Sequence, residues 1–180
     1  MSRADATHPA ALWGIAGILL LLGQAVVRLA PLAWEPIAKG LLGPVEAAIY
    51  AATLVFFAYT EGWRGFHLRF SPRAVARALT LRQRGRTIDW LLAPAYCMAL
   101  FRAPRRRLIT SWVLLVMIIA VVIAVRSLPP LWRGIVDGGV VVGLSVGAAS
   151  LLWHFGRALY GMAPPMSAEL PTSDAALAQP

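Results

Sequence analysis

The sequence is poor in three things that most water-soluble domains have in quantity. Only eight of its 180 residues are acidic, only one is lysine, and only one is cysteine. The lone Cys97 rules out an intramolecular disulfide and a multi-cysteine metal site. Catalytic signatures are also missing. There is no His-Glu-x-x-His pair for zinc, no Gly-rich phosphate loop, no Gly-x-Ser-x-Gly elbow around Ser111, Ser145 or Ser150, and no paired-Asp motif for a phospholipid transferase. No cofactor is expected. His67 and His154 bring b-type haem to mind, but no second pair of histidines exists to complete a ligand set.

What is present is apolar. Hydrophobic residues make up 59% of the chain, and mean hydropathy is +0.68, which is the composition of an integral membrane protein. The run from Ala10 to Val27 is longer than a signal peptide needs and has no small-x-small cleavage site after it, so it reads as a retained helix. The bias to arginine over lysine, together with abundant Ala and Gly, points to a GC-rich bacterial genome and hence to a bacterial inner membrane.

Eleven arginines lie between Arg64 and Arg107, against the single acid Asp89. Such a segment is costly to translocate, so it is expected on the cytoplasmic side, where it sets the direction of the helices on either side. The expected architecture is all-α with four transmembrane helices arranged as two hairpins. An amphipathic surface helix and a short re-entrant or interfacial helix lie between them, and both termini are cytoplasmic. In chain order this gives an N-terminal tail (1–9), a first hairpin (10–61), an arginine-rich surface segment (62–107), a second hairpin (108–161) and a disordered tail (162–180). The four spans are placed at 10–29, 41–59, 108–125 and 134–155, with external Pro- and Trp-bearing loops at 30–39 and 126–133. Residues 108–125 carry no charge and form the clearest span. Ser71-Pro72 reads as the start of a helix running to Arg84, with Gly85 as its stop. Residues 90–101 would reach only about 18 Å as a helix, too short to cross.

The hairpins share a pattern. Val27-Arg28, Pro31 and Trp34 match Val125-Arg126, Pro129 and Trp132 at a constant offset of 98 residues. Either the chain is a parallel duplication, or the interface gathers these residue types wherever a helix emerges.

Ionisable groups inside spans are costly and draw attention first. Glu46 and Asp137 lie near the external ends of the second and fourth spans, as interfacial ion-pairing groups or as coupling acids for protons or cations. Glu61, Arg64, His67, His154 and Arg157 would form a cytoplasmic polar cluster if the second and fourth helices are neighbours. Arg73, Arg77, Arg84, Arg105, Arg106 and Arg107 are the residues expected at anionic lipid headgroups, foremost as a topology signal. Gly139, Gly143 and Gly147 recur every four residues and offer a face for close helix packing, inside the monomer, in a homo-oligomer or against a partner subunit. Nucleic acid is not an expected partner, because no aromatic stacking surface faces water.

The functional expectation is a small, non-enzymatic scaffold or accessory subunit of a membrane complex, with a basic platform on anionic lipid. The alternative is a four-helix subunit of a small-solute or ion transporter that uses its intramembrane acids.

Overall fold

The structure is a computed structural model and describes residues 3–84 and 87–170. The fold is all-helical, with no strand among the described residues. A single turn, α1 (Arg3–Ala6), precedes the long α2 (Pro9–Ala38). After a turn come α3 (Pro44–Phe57), a π-helix (Ala58–Phe70) and α4 (Ser71–Arg84), which follow one another without a break. Two five-residue helices, α5 (Thr87–Leu91) and α6 (Ala93–Cys97), lead to α7 (Arg105–Arg126) and α8 (Pro130–Leu159). Three of these helices, α2, α7 and α8, are long and apolar enough to cross a membrane.

Several boundaries differ from the sequence expectation. The loop placed at 30–39 is helix, because α2 continues through Pro31 and Pro36 to Ala38. Each proline leaves the carbonyl four residues earlier without its helical donor. Pro36 is fully buried, and the carbonyl of Leu32 lies where a Cβ on residue 134 would stand, so Gly134 lets α8 come close at this point. The other turn is only Ser127–Pro129, and Trp132 and Arg133 belong to the first turn of α8. At the 98-residue offset that turn corresponds to residues inside α2, so the matched residues occupy different local structure in the two halves.

At Glu61, where the second span was expected to end, the chain does not enter a loop but stays helical and widens. In a π-helix each N–H reaches back five residues, a form normally confined to a single turn. Thr60 donates its hydroxyl to the carbonyl of Phe56 at 2.8 Å, the acceptor that an α-helix would give to the Thr60 amide. Gly62 and Gly65 lie in the same segment.

Residues 90–101 are not a single helix, and hence not a fifth span. They divide among α5, α6 and an irregular loop at 98–104, and Pro94 opens α6 in its first turn. The chain end also departs from expectation. Gly161, at φ +82°, terminates α8, with Met162 N–H bonded to the Arg157 carbonyl. From there 162–170 runs as a strap held by arginines rather than as a free tail. The expected stop at Gly85, the first two residues of the tail at 1–9, and 171–180 lie outside the described residues.

Two compact units emerge, one made of 1–18, 71–117 and 151–180, the other of 19–70 and 118–150. In the second unit the glycines of α8 receive large side chains. A Cβ at Gly139 would meet Phe57 and Thr53, one at Gly143 the Glu61 side chain, and one at Gly147 the ring of Phe66 at 2.6 Å. Gly138 accommodates Tyr50, whose hydroxyl donates to the carbonyl of Ala33 at 2.9 Å and ties α3 to α2. The glycine face is therefore filled from within the chain. Gly147→Ala is expected to cost about 1–3 kcal/mol through overpacking. Gly23→Ala, with nothing near the new methyl, should be neutral or slightly stabilising. Apparent melting temperatures in mild detergent separate the two.

Candidate functional site: an arginine held by backbone carbonyls

The first unit is organised by α4, and α4 is not a surface helix. Ser71, Pro72 and the whole run from Ala74 to Leu79 are buried, as is Leu81. Alanines at 74, 76 and 78 let neighbours approach on several sides, so a helix with a weak apolar stripe is nonetheless enclosed. Arg77, expected at the lipid headgroups, is 2% exposed.

A buried guanidinium needs partners for five N–H groups. Arg77 finds them almost wholly in backbone. Its Nε donates to the Tyr96 carbonyl at 2.6 Å. Nη2 donates to the carbonyls of Phe101 and Arg102, both at 3.1 Å, and Nη1 to those of Ala168 at 3.1 Å and Glu169 at 3.4 Å. The guanidinium carbon sits 4.3 Å from the centroid of the Tyr96 ring, a cation–π contact. Burial pulls the Arg77 pKa below its ordinary value, partly offset by Tyr96, Cys97 and Glu169.

The surroundings are shaped to supply those carbonyls. Ala99 and Arg102 both adopt left-handed backbone, with φ of 58° and 49°, a conformation that side chains disfavour by about 1–2 kcal/mol each. Thr80 donates its hydroxyl to the Arg77 carbonyl at 2.7 Å. The Tyr96 hydroxyl, 3.0 Å from Thr80 Oγ1, is then the donor of that pair. Cys97, fully buried beside this arginine, has its thiol pushed by burial up to about 12.

Indole N–H groups serve the same unit. Trp90 donates to the Leu81 carbonyl at 3.0 Å, Trp13 to Leu91 at 3.1 Å and Trp112 to Leu100 at 3.1 Å. Their rings remain half exposed. Trp13 and Trp112 thus each satisfy a carbonyl in the segment between α4 and α7. Asp89, buried, pairs with Arg102 at 2.8 Å, and buried Asp5 pairs with Arg82 at 3.4 Å and accepts from Gln83.

The other expected residues are distributed as follows. Arg73 and Arg107 converge on Glu169, Arg105 and Arg106 are exposed at the start of α7, and the Arg84 side chain is outside the described residues. Glu46 occupies the third position of α3 and folds back over Gly43, where a Cβ would collide with its Oε2. An acid there favours the positive end of the helix. Asp137, 5% exposed, pairs with Arg133 one turn earlier on α8, at 3.5 Å. His67 shares a hydrogen bond of 3.0 Å with Ser150 and stacks on Trp63 at 4.4 Å. Glu61 and Arg64 lie exposed on the same π-helix, while His154 is buried and Arg157 exposed near the end of α8. His67 with Glu61 and Arg64 belongs to one compact unit, and His154 with Arg157 to the other. Among the described residues no three His, Cys, Asp or Glu side chains come together as a metal site.

No family model, no curated protein and no solved structure matches the chain.

What the arginine arrangement does is join segments distant in sequence around one cation. Arg77→Leu removes the donors to carbonyls of Tyr96, Phe101 and Arg102 and should cost about 3 kcal/mol or more. Hydrogen exchange should rise first in 98–104. Cys97 reports the same event. With its pKa raised, the thiol stays protonated from pH 7 to 9, so native maleimide labelling should be negligible and gain little across that range. In Arg77→Leu, labelling should become fast and climb with pH as for a free thiol near 8.5.

Proposed function

We propose that this chain is a four-crossing protein of the bacterial inner membrane, with the arginine-rich unit and both termini on the cytoplasmic side, acting as a non-enzymatic scaffold or accessory subunit of a larger membrane complex. In this reading α2, α7 and α8 cross the bilayer, and α3 with the first turns of the π-helix supplies the fourth crossing. The arginine-rich unit rests on anionic headgroups, and its excess of positive charge holds it on the cytoplasmic side.

The observation that carries the reading is α7. It has 22 residues and not one of them is buried. Val113, Leu114, Val116, Met117, Ile118 and Ile119, which between them point all round the helix, are exposed. The chain spends its other long helices on internal packing, yet leaves the most apolar one uncovered, as suits a helix that serves a second protein. The acids support the same view. Asp5, Glu35, Asp89, Asp137 and Glu169 are all in ion pairs, and Glu46 sits at a helix start. Few are left to act on a substrate.

One observation favours transport as the second reading, namely that Asp137 is a carboxylate buried within α8, where such a group could couple ion movement. Photo-cross-linking residues placed at Ile118 and Val122 in native membranes distinguish the two. A scaffold should yield one reproducible protein adduct that also co-purifies in stoichiometric amount, while Asp137→Asn leaves function intact. Adducts to lipid alone, with function lost in Asp137→Asn, would favour transport.

A further inference from the structure

The strap at 162–170 ends on an acid held in an unusual way. Glu169 has φ +46°, a left-handed backbone uncommon outside glycine, asparagine and aspartate. Two arginines meet its carboxylate. Arg107 clasps it as a fork, with Nε 2.8 Å from Oε2 and Nη2 3.3 Å from Oε1, and Arg73 stands 3.9 Å from Oε1. Behind it, Arg77 holds the carbonyls of Ala168 and Glu169. These contacts all fall in one compact unit, and they converge on a single anion at the point where α7 begins with Arg105-Arg106-Arg107.

We propose that Arg73 and Arg107 form a phosphate-binding site, and that the strap closes it by placing the Glu169 carboxylate there as a tethered stand-in for the phosphate. This rests on the reading of the arginine unit as a surface for anionic headgroups. The chemistry is that of a guanidinium fork, which receives carboxylate and phosphate in the same two-pronged geometry. A carboxylate offers two oxygens, and here both engage Arg107. A phosphate brings a third, which can reach Arg73 at the same time. Displacement would also free Glu169 from its left-handed backbone, so the closed strap is held by the arginines and not by its own conformation. The carboxylate is partly open to solvent, 41% exposed, so a competing anion has access.

A site covered most of the time binds with an affinity reduced by the fraction of time it is open. Opening it permanently should therefore tighten binding by about threefold to tenfold, an interval that corresponds to a strap closed for roughly 70–90% of the time. The full chain in neutral detergent is titrated calorimetrically with inorganic phosphate and, separately, with short-chain phosphatidic acid. Glu169→Gln and Glu169→Ala should each bind more tightly than the unaltered protein, and adding Arg73→Gln with Arg107→Gln should abolish the gain. An equal gain for both probes assigns the site to phosphate of either source, and a gain for the lipid alone assigns it to a headgroup. Unchanged affinity in both Glu169 variants, with Cys97 still protected from maleimide as a sign of intact folding, overturns the proposal. Sedimentation with vesicles of anionic or zwitterionic lipid separates this failure from the broader one. If binding to anionic vesicles survives loss of Arg73 and Arg107, the headgroup reading of these arginines falls. If it is lost with them yet Glu169 has no influence, only the closing strap falls.

Discussion

Taking one guanidinium out of water with only backbone carbonyls as its hydrogen-bond acceptors is the constraint around which the first compact unit is arranged. Arg77 keeps its charge because backbone carbonyls from three stretches of chain, at 96, 101–102 and 168–169, turn towards it. Carbonyls carry only partial charge, so several must converge to replace the hydration that burial removes. That convergence fixes the loop after α6, brings the strap against α4, and requires left-handed backbone at Ala99 and Arg102. A hydrophobic side chain at 77 would avoid the desolvation cost, but would leave those segments without a common point of attachment.

The second unit solves a different problem with different means. Helices in an apolar environment gain little from burying apolar side chains, so contact depends on close fit. Gly134, Gly138, Gly139, Gly143 and Gly147 on α8 accept Pro36, Tyr50, Phe57, the Glu61 side chain and Phe66 in turn. Tyr50 and His67 reach across to Ala33 and Ser150, but several polar groups of this unit are handled locally. Thr53, Thr60 and Ser145 return their hydroxyls to carbonyls four residues earlier, and Asp137 meets Arg133 on its own helix. Local satisfaction of this kind leaves helix faces free for packing and costs no contact elsewhere.

Between them the two units divide polar chemistry unevenly. Most of the arginines, the indole N–H groups of Trp13, Trp90 and Trp112 and the buried acids Asp5 and Asp89 lie in the first, where they bind backbone and each other, whereas the second holds one buried acid, Asp137. The strap lies across the same arginines that a headgroup would seek, so the features that fold this unit and those that would let it sense anionic lipid are carried by neighbouring residues. Arg77 is committed to structure, whereas Arg73 and Arg107 hold a partner that another anion could replace.

That the chain is helical and apolar enough for a membrane, where its least interrupted helix lies, and that positive charge concentrates in the middle were legible in the residues alone. Those properties follow from local composition and from runs of residues, as with 108–125 inside α7. Element ends were less legible. Pro31 and Pro36 look like loop residues, yet they sit inside α2, and the close approach of Gly134 to Leu32 and Pro36 belongs to the tertiary packing. The π-helix had no signal beyond Thr60 and two glycines. The fate of each arginine was invisible in one dimension. Arg73, Arg77 and Arg107 are the same residue type in the same basic stretch, and which of them is buried depends on where carbonyls and Glu169 arrive from distant parts of the chain. Only tertiary structure decides that, because burying a charge depends on how many distant groups can be brought to it at once.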